Sequence, residues 1–144
     1  MKKVSLLVAG IIVGVSLMTG CSSVSDKVED AEGYAAVAEE FEENITGFER
    51  QLSNLEKQDH LTKEEQKQLV TDIENVRSDI EEFLSVEPPF GLKMVQKKLQ
   101  KEFDEREVHL LALKDKAENN EATTEDIEKV NDEFFSNISV KLFN

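Results

Sequence analysis

Residues 61–90 read LTKEEQKQLVTDIENVRSDIEEFLSVEPPF, and they encode one complete helix. Thr62 can serve as the N-cap, and Glu65 follows at the spacing of a capping box, with Leu61 available as a hydrophobic staple. Apolar residues then recur at steps of three and four, which places them on one helix face: Leu69, Ile73, Val76, Ile80 and Phe83. Glu87-Pro88-Pro89 ends the helix, because proline has no amide donor and restricts the residue before it.

The same period appears on the N-terminal side of this helix and predicts a first helix. Its apolar stripe comprises Ala31, Tyr34, Val37 or Ala38, Phe41, Ile45, Phe48, Leu52 and Leu55. The opposite face carries the acidic run 39–43, EEFEE. That run is either a solvated helix face or a surface that captures a cationic peptide.

Two further helices are predicted beyond the double proline. The stripe of the third contains Leu92, Val95, Leu99, Phe103, Leu110, Leu113 and Ala117. Arg106 or Glu107 falls on this seam, and Arg106 is either a side chain extending to the bundle edge or a buried charge. Thr123 or Thr124 caps the fourth helix, whose face contains Ile127, Val130, Phe134, Ile138 and Leu142, with Phe135 beside it.

Short connections favour antiparallel neighbours, so the sequence predicts an all-α fold, an up-and-down bundle of three or four helices over residues 31–144. An extended coiled-coil hairpin that associates with a second copy is the alternative, because steps of three and four also describe heptads. The chain has eight phenylalanines, and six of them lie on or beside the stripes. This favours a filled globular core.

The N-terminal segment has the pattern of an export signal. Lys2-Lys3 precede an apolar run from Val4 to Met18, which is shorter than the ~18–20 residues of a spanning helix. Small residues then lead to a cysteine in Met18-Thr19-Gly20-Cys21. A charged start, a short apolar run and small residues describe a removable signal peptide. A plain secretory signal and an uncleaved anchor helix are the alternatives.

With these residues in view, the segment resembles the lipobox of bacterial lipoproteins. The whole chain resembles the small, acidic, all-helical lipoproteins of Gram-positive bacteria, some of which are described as cell-wall-binding. The resemblance implies that residues 1–20 are a lipoprotein signal peptide that is removed. Cys21 would then carry a diacylglyceryl thioether, with residues 21–30 as the lipidated cysteine and tether. It also implies a cell-membrane location on the extracytoplasmic face, held stably by two or more acyl chains.

Composition narrows the classes of partner. The chain has 31 acidic and 17 basic side chains, for a net charge of −14, and the leader holds no acid. Nucleic acid is therefore excluded as a partner, because the phosphate backbone requires a basic surface. Cys21 is the only cysteine, so no intramolecular disulfide forms.

No catalytic constellation and no cofactor site emerge from the sequence. His109 follows Glu105 at helical spacing, and His60 lies in a connection. Di-metal bundles use Glu-x-x-His on two helices, whereas here Glu-x-x-x-His occurs once. We therefore expect no metal site, and we expect the protein not to be an enzyme.

Two features are candidates for binding a partner. Lys93, Lys97 and Lys101 share one face of the third helix, with Lys98 adjacent. They either pair with acidic faces of neighbouring helices or form a patch for teichoic acid, lipid head groups or a protein. Phe90, after the double proline, belongs either to a rigid connector or to an exposed apolar tip.

These observations predict a lipid-anchored, non-catalytic interaction protein of the cell envelope that contacts a membrane protein or a wall polymer. Self-association stays open. The alternative function is protection: a lipoprotein that intercepts cationic antimicrobial peptides or blocks entry at the membrane.

The anchor is tested at Cys21. We expect Cys21→Ala to abolish incorporation of labelled fatty acid and to leave an unprocessed precursor, because the lipid is transferred to the cysteine sulfur before cleavage. Metabolic labelling and gel mobility measure both. Normal processing of the variant would contradict the lipoprotein assignment, and Ser22→Ala is the matched control.

Overall fold

The computed structural model describes residues 31–136, which fold into four α-helices without a strand in that range. They are α1 (Ala31–Glu56), α2 (Lys63–Ser85), α3 (Lys93–Glu118) and α4 (Thr124–Val130), and α4 continues into a π-helical turn, Asn131–Phe135. Helices α1 and α3 each pack against both α2 and α4, so α1 and α3 lie diagonally across the bundle. The predicted all-α up-and-down bundle is confirmed, with four helices.

Aromatic side chains fill the centre of the bundle. Six phenylalanines are buried in one core cluster: Phe41, Phe48, Phe83, Phe103, Phe134 and Phe135. The rings of Phe41 and Phe83 stack with centroids 4.4 Å apart, and Phe41 meets Phe103 edge-on at 5.9 Å across the diagonal. Burial of each ring stabilises the fold by about 1.5–3 kcal/mol. The core is therefore the filled globular type, and the stripe residues Ile138 and Leu142 lie outside the described residues.

Helices α2 and α4 begin with the same capping arrangement. The Glu65 amide donates to Thr62 Oγ1 at 3.2 Å, and the Thr62 amide donates back to Glu65 Oε2 at 2.8 Å. Thr123 caps α4 in the same way, with Asp126 as its partner. Leu61 is buried as expected, but the position that would complete a hydrophobic staple is occupied by Gln66.

The π-helical turn explains how two consecutive phenylalanines are both buried. In a regular helix, neighbouring residues point about 100° apart, so one of such a pair turns away from the core. Phe134 is fully buried and Phe135 is 9% exposed, with their rings 4.8 Å apart. The wider turn brings both rings against α1 and α3, where Phe135 meets Phe48 and Phe134 meets Phe103.

Two glutamines are the only buried polar side chains among residues 31–136. Gln66, in the first turns of α2, accepts a hydrogen bond at 2.9 Å from the amide of Ala122. It thereby ties the start of α2 to the connection between α3 and α4. Gln96 links α3 to the C-terminal end of α2 in a similar way.

The side-chain amide of Gln96 closes the end of α2. Its Nε2 lies 3.3, 3.1 and 2.8 Å from the carbonyl oxygens of Phe83, Leu84 and Val86. Pro88 and Pro89 have no amide hydrogen to offer these carbonyls. The prediction that Val95 belongs to the core stripe is wrong: Val95 is 41% exposed, because Gln96 occupies the inward position.

We expect Gln96→Leu to lower the free energy of unfolding by about 2 kcal/mol, because it keeps the side-chain volume but removes the donor to the carbonyls of Leu84 and Val86, whereas the Phe83 carbonyl keeps the Val86 amide. Urea denaturation followed by circular dichroism measures the change. Gln100→Leu, at an exposed position of the same helix, is the control and should alter stability by less than about 0.5 kcal/mol. Equal effects of the two variants would contradict a capping role.

Candidate functional site

Exposed apolar side chains are concentrated on one part of the bundle. Among residues 31–136, all five large hydrophobic side chains that are exposed lie at or after the proline corner and on α3: Phe90, Met94, Val95, Val108 and Leu111. Isolated exposed apolar residues are normal, whereas a group on one element indicates a contact surface. The outer face of α3 is therefore the candidate binding face.

The corner between α2 and α3 projects Phe90 into solvent. Gly91 has φ +99°, a conformation that side-chain-bearing residues rarely adopt, and the Leu92 amide donates to the Pro89 carbonyl at 3.0 Å. This tight turn leaves Phe90 fully exposed at its apex. Met94, in the first turn of α3, is 83% exposed. Sequence reasoning missed Met94, although its spacing of four from Phe90 was a usable signal.

Beyond Phe90 and Met94, the outward side of α3 carries basic side chains. Met94, Lys97, Lys98 and Lys101 occupy the outward side of the helix, opposite the buried Gln96, Leu99 and Phe103. We refer to Phe90, Met94, Lys97, Lys98 and Lys101 as the corner surface. The structure thus brings the predicted residues Phe90, Lys97 and Lys101 onto one continuous surface.

The third predicted lysine stands at the edge of this surface. Lys93 Nζ lies 3.0 Å from Glu87 Oε1, across the corner. Both side chains are well exposed, so the pair contributes little to stability. Lys93 is therefore partly neutralised, whereas the lysines of the corner surface face solvent.

The ion pairs of the corner-surface lysines are weak. Lys98 lies 3.9 Å from Glu102 and Lys101 lies 3.6 Å from Glu105, both one turn along the same helix. Exposed pairs of this kind contribute a few tenths of a kcal/mol. Within residues 31–136, Lys97 forms no ion pair.

Pairing with neighbouring helices is instead the role of lysines further along α3. Lys114 Nζ lies 3.2 Å from Glu74 of α2, and Lys116 pairs with Asp126 of α4. The interpretation that Lys93, Lys97, Lys98 and Lys101 pair with acidic faces of other helices is therefore wrong for the described residues. Lys97, and the weakly paired Lys98 and Lys101, therefore keep their ammonium groups on the exposed side of α3.

Helix electrostatics does not explain lysines at this position. α3 has no acidic residue in its first turn, and its N-cap, Leu92, makes no side-chain capping bond. The positive end of the helix dipole disfavours a cation in that turn by about 0.3–1 kcal/mol, which applies to Lys93. Lys97, Lys98 and Lys101 lie beyond the first turn, where the dipole neither favours nor opposes them appreciably.

The histidines serve no common site. His109 Nδ1 lies 2.7 Å from Glu133 Oε2 in the π-helical turn, while Glu105 pairs with Lys101. His60 is exposed in the connection between α1 and α2. Over residues 31–136 no group of three or more metal-ligating side chains comes together.

Arg106 lies at the edge of the seam, as one of its two interpretations anticipated. It is half-buried, and its Nη1 donates to the carbonyl oxygen of Phe134 at 3.1 Å. The neighbouring Glu107 pairs with Arg77 of α2, at 2.6 Å. These contacts are structural, because they link α3 to the π-helical turn and to α2.

A second charged feature lies between α1 and α2. Burial, together with the nearby carboxylates of Glu82 and Glu40, raises the pKa of Asp79 to about 6, against a lowering hydrogen bond from Asn44. One weak signal of this feature is visible in the sequence, where Asp79 directly precedes the stripe residue Ile80. This face concentrates negative charge, in contrast to the corner surface.

Residues 31–136 thus form a small helical bundle with exposed apolar and basic side chains on the outer side of α3. The chain belongs to a family of unknown function, DUF6376, which matches residues 34–140. No curated protein and no solved structure matches it. Of the helices in the described part of the chain, none is both long and apolar enough to cross a membrane.

We expect Asp79→Asn to stabilise the protein at neutral pH. The folded-state pKa of about 6 lies above the ordinary value of 3.8, so ionised Asp79 opposes folding. Wild-type stability should rise as the pH falls through 6 and level off near 4. A shift of this size corresponds to about 3 kcal/mol for a buried group, which solvent screening at this half-exposed site reduces to about 1–2 kcal/mol.

Thermal denaturation of wild type and Asp79→Asn at pH 7.5 and pH 4.5 measures this effect. The difference in Tm should be positive at the higher pH and should shrink at the lower one. Asp115→Asn, at an exposed position on α3, is the matched control. A Tm difference that does not depend on pH would contradict the assignment.

Proposed function

We propose that this protein is a lipid-anchored, non-catalytic binding protein on the extracytoplasmic face of the cell membrane, and that it contacts its partner through the outer face of α3. The observation that carries the proposal is the placement of all large exposed apolar side chains of residues 31–136 at the corner and on α3. Burial of such side chains against a partner is the usual source of binding energy.

The anchor rests on the leader and on Cys21. The pattern Met18-Thr19-Gly20-Cys21 supports lipidation, and these residues lie outside the described part of the chain. A lipidated cysteine would confine the bundle to the membrane surface. Partners are then components of the envelope, such as a membrane protein or a wall polymer.

The two halves of the α3 face offer different chemistry. The corner surface combines Phe90 and Met94 with three lysines, whereas Val108 and Leu111, 57% and 41% exposed, form a smaller apolar patch further along. Met94 and Leu111 are separated by 17 positions, about 25 Å along a helix. An envelope component that spans the face would contact both.

A photoreactive amino acid that is incorporated during translation can test whether the outer face of α3 contacts a partner. The sequence contains three methionines, and removal of residues 1–20 leaves Met94 alone. A photoreactive methionine analogue would therefore sit only at Met94 in the mature protein. We expect irradiation of whole cells to join the protein to one dominant envelope component, identified by mass spectrometry.

Matched variants move the crosslinker. In Met94→Leu with Leu111→Met it stays on α3, at the other end of the face, and an envelope component should again be captured. In Met94→Leu with Glu49→Met it moves to an exposed position of α1, and capture should be lost. Equal capture from α1 and α3, or crosslinks to the protein's own copies only, would contradict the proposal.

The acidic surface of α1 and α2 favours a second candidate, interception of a cationic peptide. The pKa of Asp79 is raised first by burial and also by the carboxylates of Glu82 and Glu40, which place negative charge beside it. A cationic peptide would reduce that repulsion, in a manner that salt weakens. In the crosslinking experiment, capture of an added cationic peptide from position 49, and not from position 94, would favour this candidate.

A further inference from the structure

The corner surface has the composition of a membrane-contacting tip. Phe90 and Met94 are 103% and 83% exposed, and they lie four positions apart, on either side of the turn into α3. Lys97, Lys98 and Lys101 follow on the same side of α3. Apolar side chains next to lysines are the pattern with which proteins enter the interface of an anionic bilayer.

Charge complementarity supports an anionic bilayer as the partner of the corner surface. From Pro88 to Lys101 the chain has four lysines and no acidic residue, although its net charge is −14. Anionic lipid head groups attract clustered lysines and repel acidic surfaces. The corner surface is therefore the part of the bundle that such a bilayer attracts, and the acidic faces of α1 and α2 would be held away from it.

The fold places this surface at the end of the bundle where α1 begins. The rings of Tyr34, at the start of α1, and Phe83, at the end of α2, are 5.9 Å apart, and Gln96 of α3 donates to the Val86 carbonyl beside them. Cys21 and Ala31 are ten positions apart in the chain. Such a segment reaches at most about 35 Å, so a lipid on Cys21 would keep this end of the bundle near the bilayer.

We propose that the corner surface docks on the anionic bilayer to which the protein is anchored. Phe90 and Met94 enter the interface, and Lys97, Lys98 and Lys101 bind lipid phosphates. An anionic wall polymer would satisfy the lysines equally well, but it offers no apolar region for Phe90 and Met94. This inference rests on the proposed lipid anchor and specifies what the corner end of the face contacts.

The absence of tryptophan from the chain gives a direct test. Phe90→Trp introduces a single fluorophore at the apex of the corner, where the larger ring meets no steric obstacle. The intact lipoprotein is reconstituted into vesicles of phosphatidylcholine and phosphatidylglycerol in equal parts. We expect a blue-shifted emission, and loss of most of that emission when the acyl chains of the lipid carry bromine.

Two controls define the contact. A tryptophan placed by His60→Trp, in the exposed α1–α2 connection at the opposite end of the bundle, should emit as in water and resist quenching. Adding Lys97→Glu and Lys101→Glu to the Phe90→Trp protein should reverse the blue shift, as should vesicles of phosphatidylcholine alone. Circular dichroism of each variant confirms that the bundle stays folded.

The outcomes separate this inference from the anchor. If the lipoprotein floats with the vesicles while the tryptophan at position 90 stays unquenched, the anchor stands and the docking is overturned. If the protein does not float with any vesicle, both are overturned. If purified teichoic acid shifts the emission and the bilayer does not, the lysines serve a wall polymer and the bilayer is rejected.

Discussion

The side-chain amide of Gln96 determines how α3 is oriented on the bundle. A double proline ends α2 and supplies no amide hydrogens, so the last carbonyls of α2 need donors from elsewhere. Gln96 provides them from the second turn of α3, at 2.8–3.3 Å. To do so it must face inward, and the helix is thereby rotated so that Val95 is displaced towards solvent and Met94 and Lys97 point away from the core. One capping interaction thus connects the corner to the exposed face.

Charge is distributed on this scaffold in two opposing ways. The pairs that join helices, such as Arg77–Glu107 and Lys114–Glu74, are partly buried and link α3 to α2. The lysines of the corner surface pair only within α3 or not at all, in the N-terminal half of the helix. Between α1 and α2, burial raises the pKa of Asp79, and the carboxylates of Glu82 and Glu40 contribute to the same shift. The bundle therefore has a strongly acidic side and a locally basic end.

Periodicity was sufficient to predict the fold, because the apolar side chains of α1, α2 and α4 follow a regular helical spacing. The cap at Thr62 was equally readable, since a capping box is a local pattern, whereas the sequence left Thr123 and Thr124 open as the cap of α4. The roles of Gln66 and Gln96 were not predictable from the sequence. A buried glutamine has no local pattern that distinguishes it from a surface glutamine, because its hydrogen-bond partner is distant in the sequence. The error at Val95 has the same origin: Leu92 and Leu99 are compatible with either position 95 or 96 as the inward residue, and only the uncapped end of α2 selects Gln96.

The candidate site was partly predictable for a related reason. Phe90 and the lysines are visible as residue types, but their common surface depends on the rotation of α3 and on the positive φ of Gly91. The π-helical turn was also beyond the reach of a regular period, because it departs from 3.6 residues per turn. Sequence patterns therefore predict elements and caps, whereas the relations between elements require the packed structure.

Stability alone does not account for the corner. Acidic residues would suit the start of α3, and the chain uses 31 of them elsewhere, yet residues 88–101 have none. A connector would also function with a polar residue in place of Phe90, which contacts no core residue at full exposure. Local composition thus departs both from the chain's own trend and from helix electrostatics, and both departures favour contact with an anionic, partly apolar surface. If the corner rests on the bilayer, the bundle stands upright on that end, and Val108 and Leu111 face the envelope about 25 Å further along α3, where a second partner could bind.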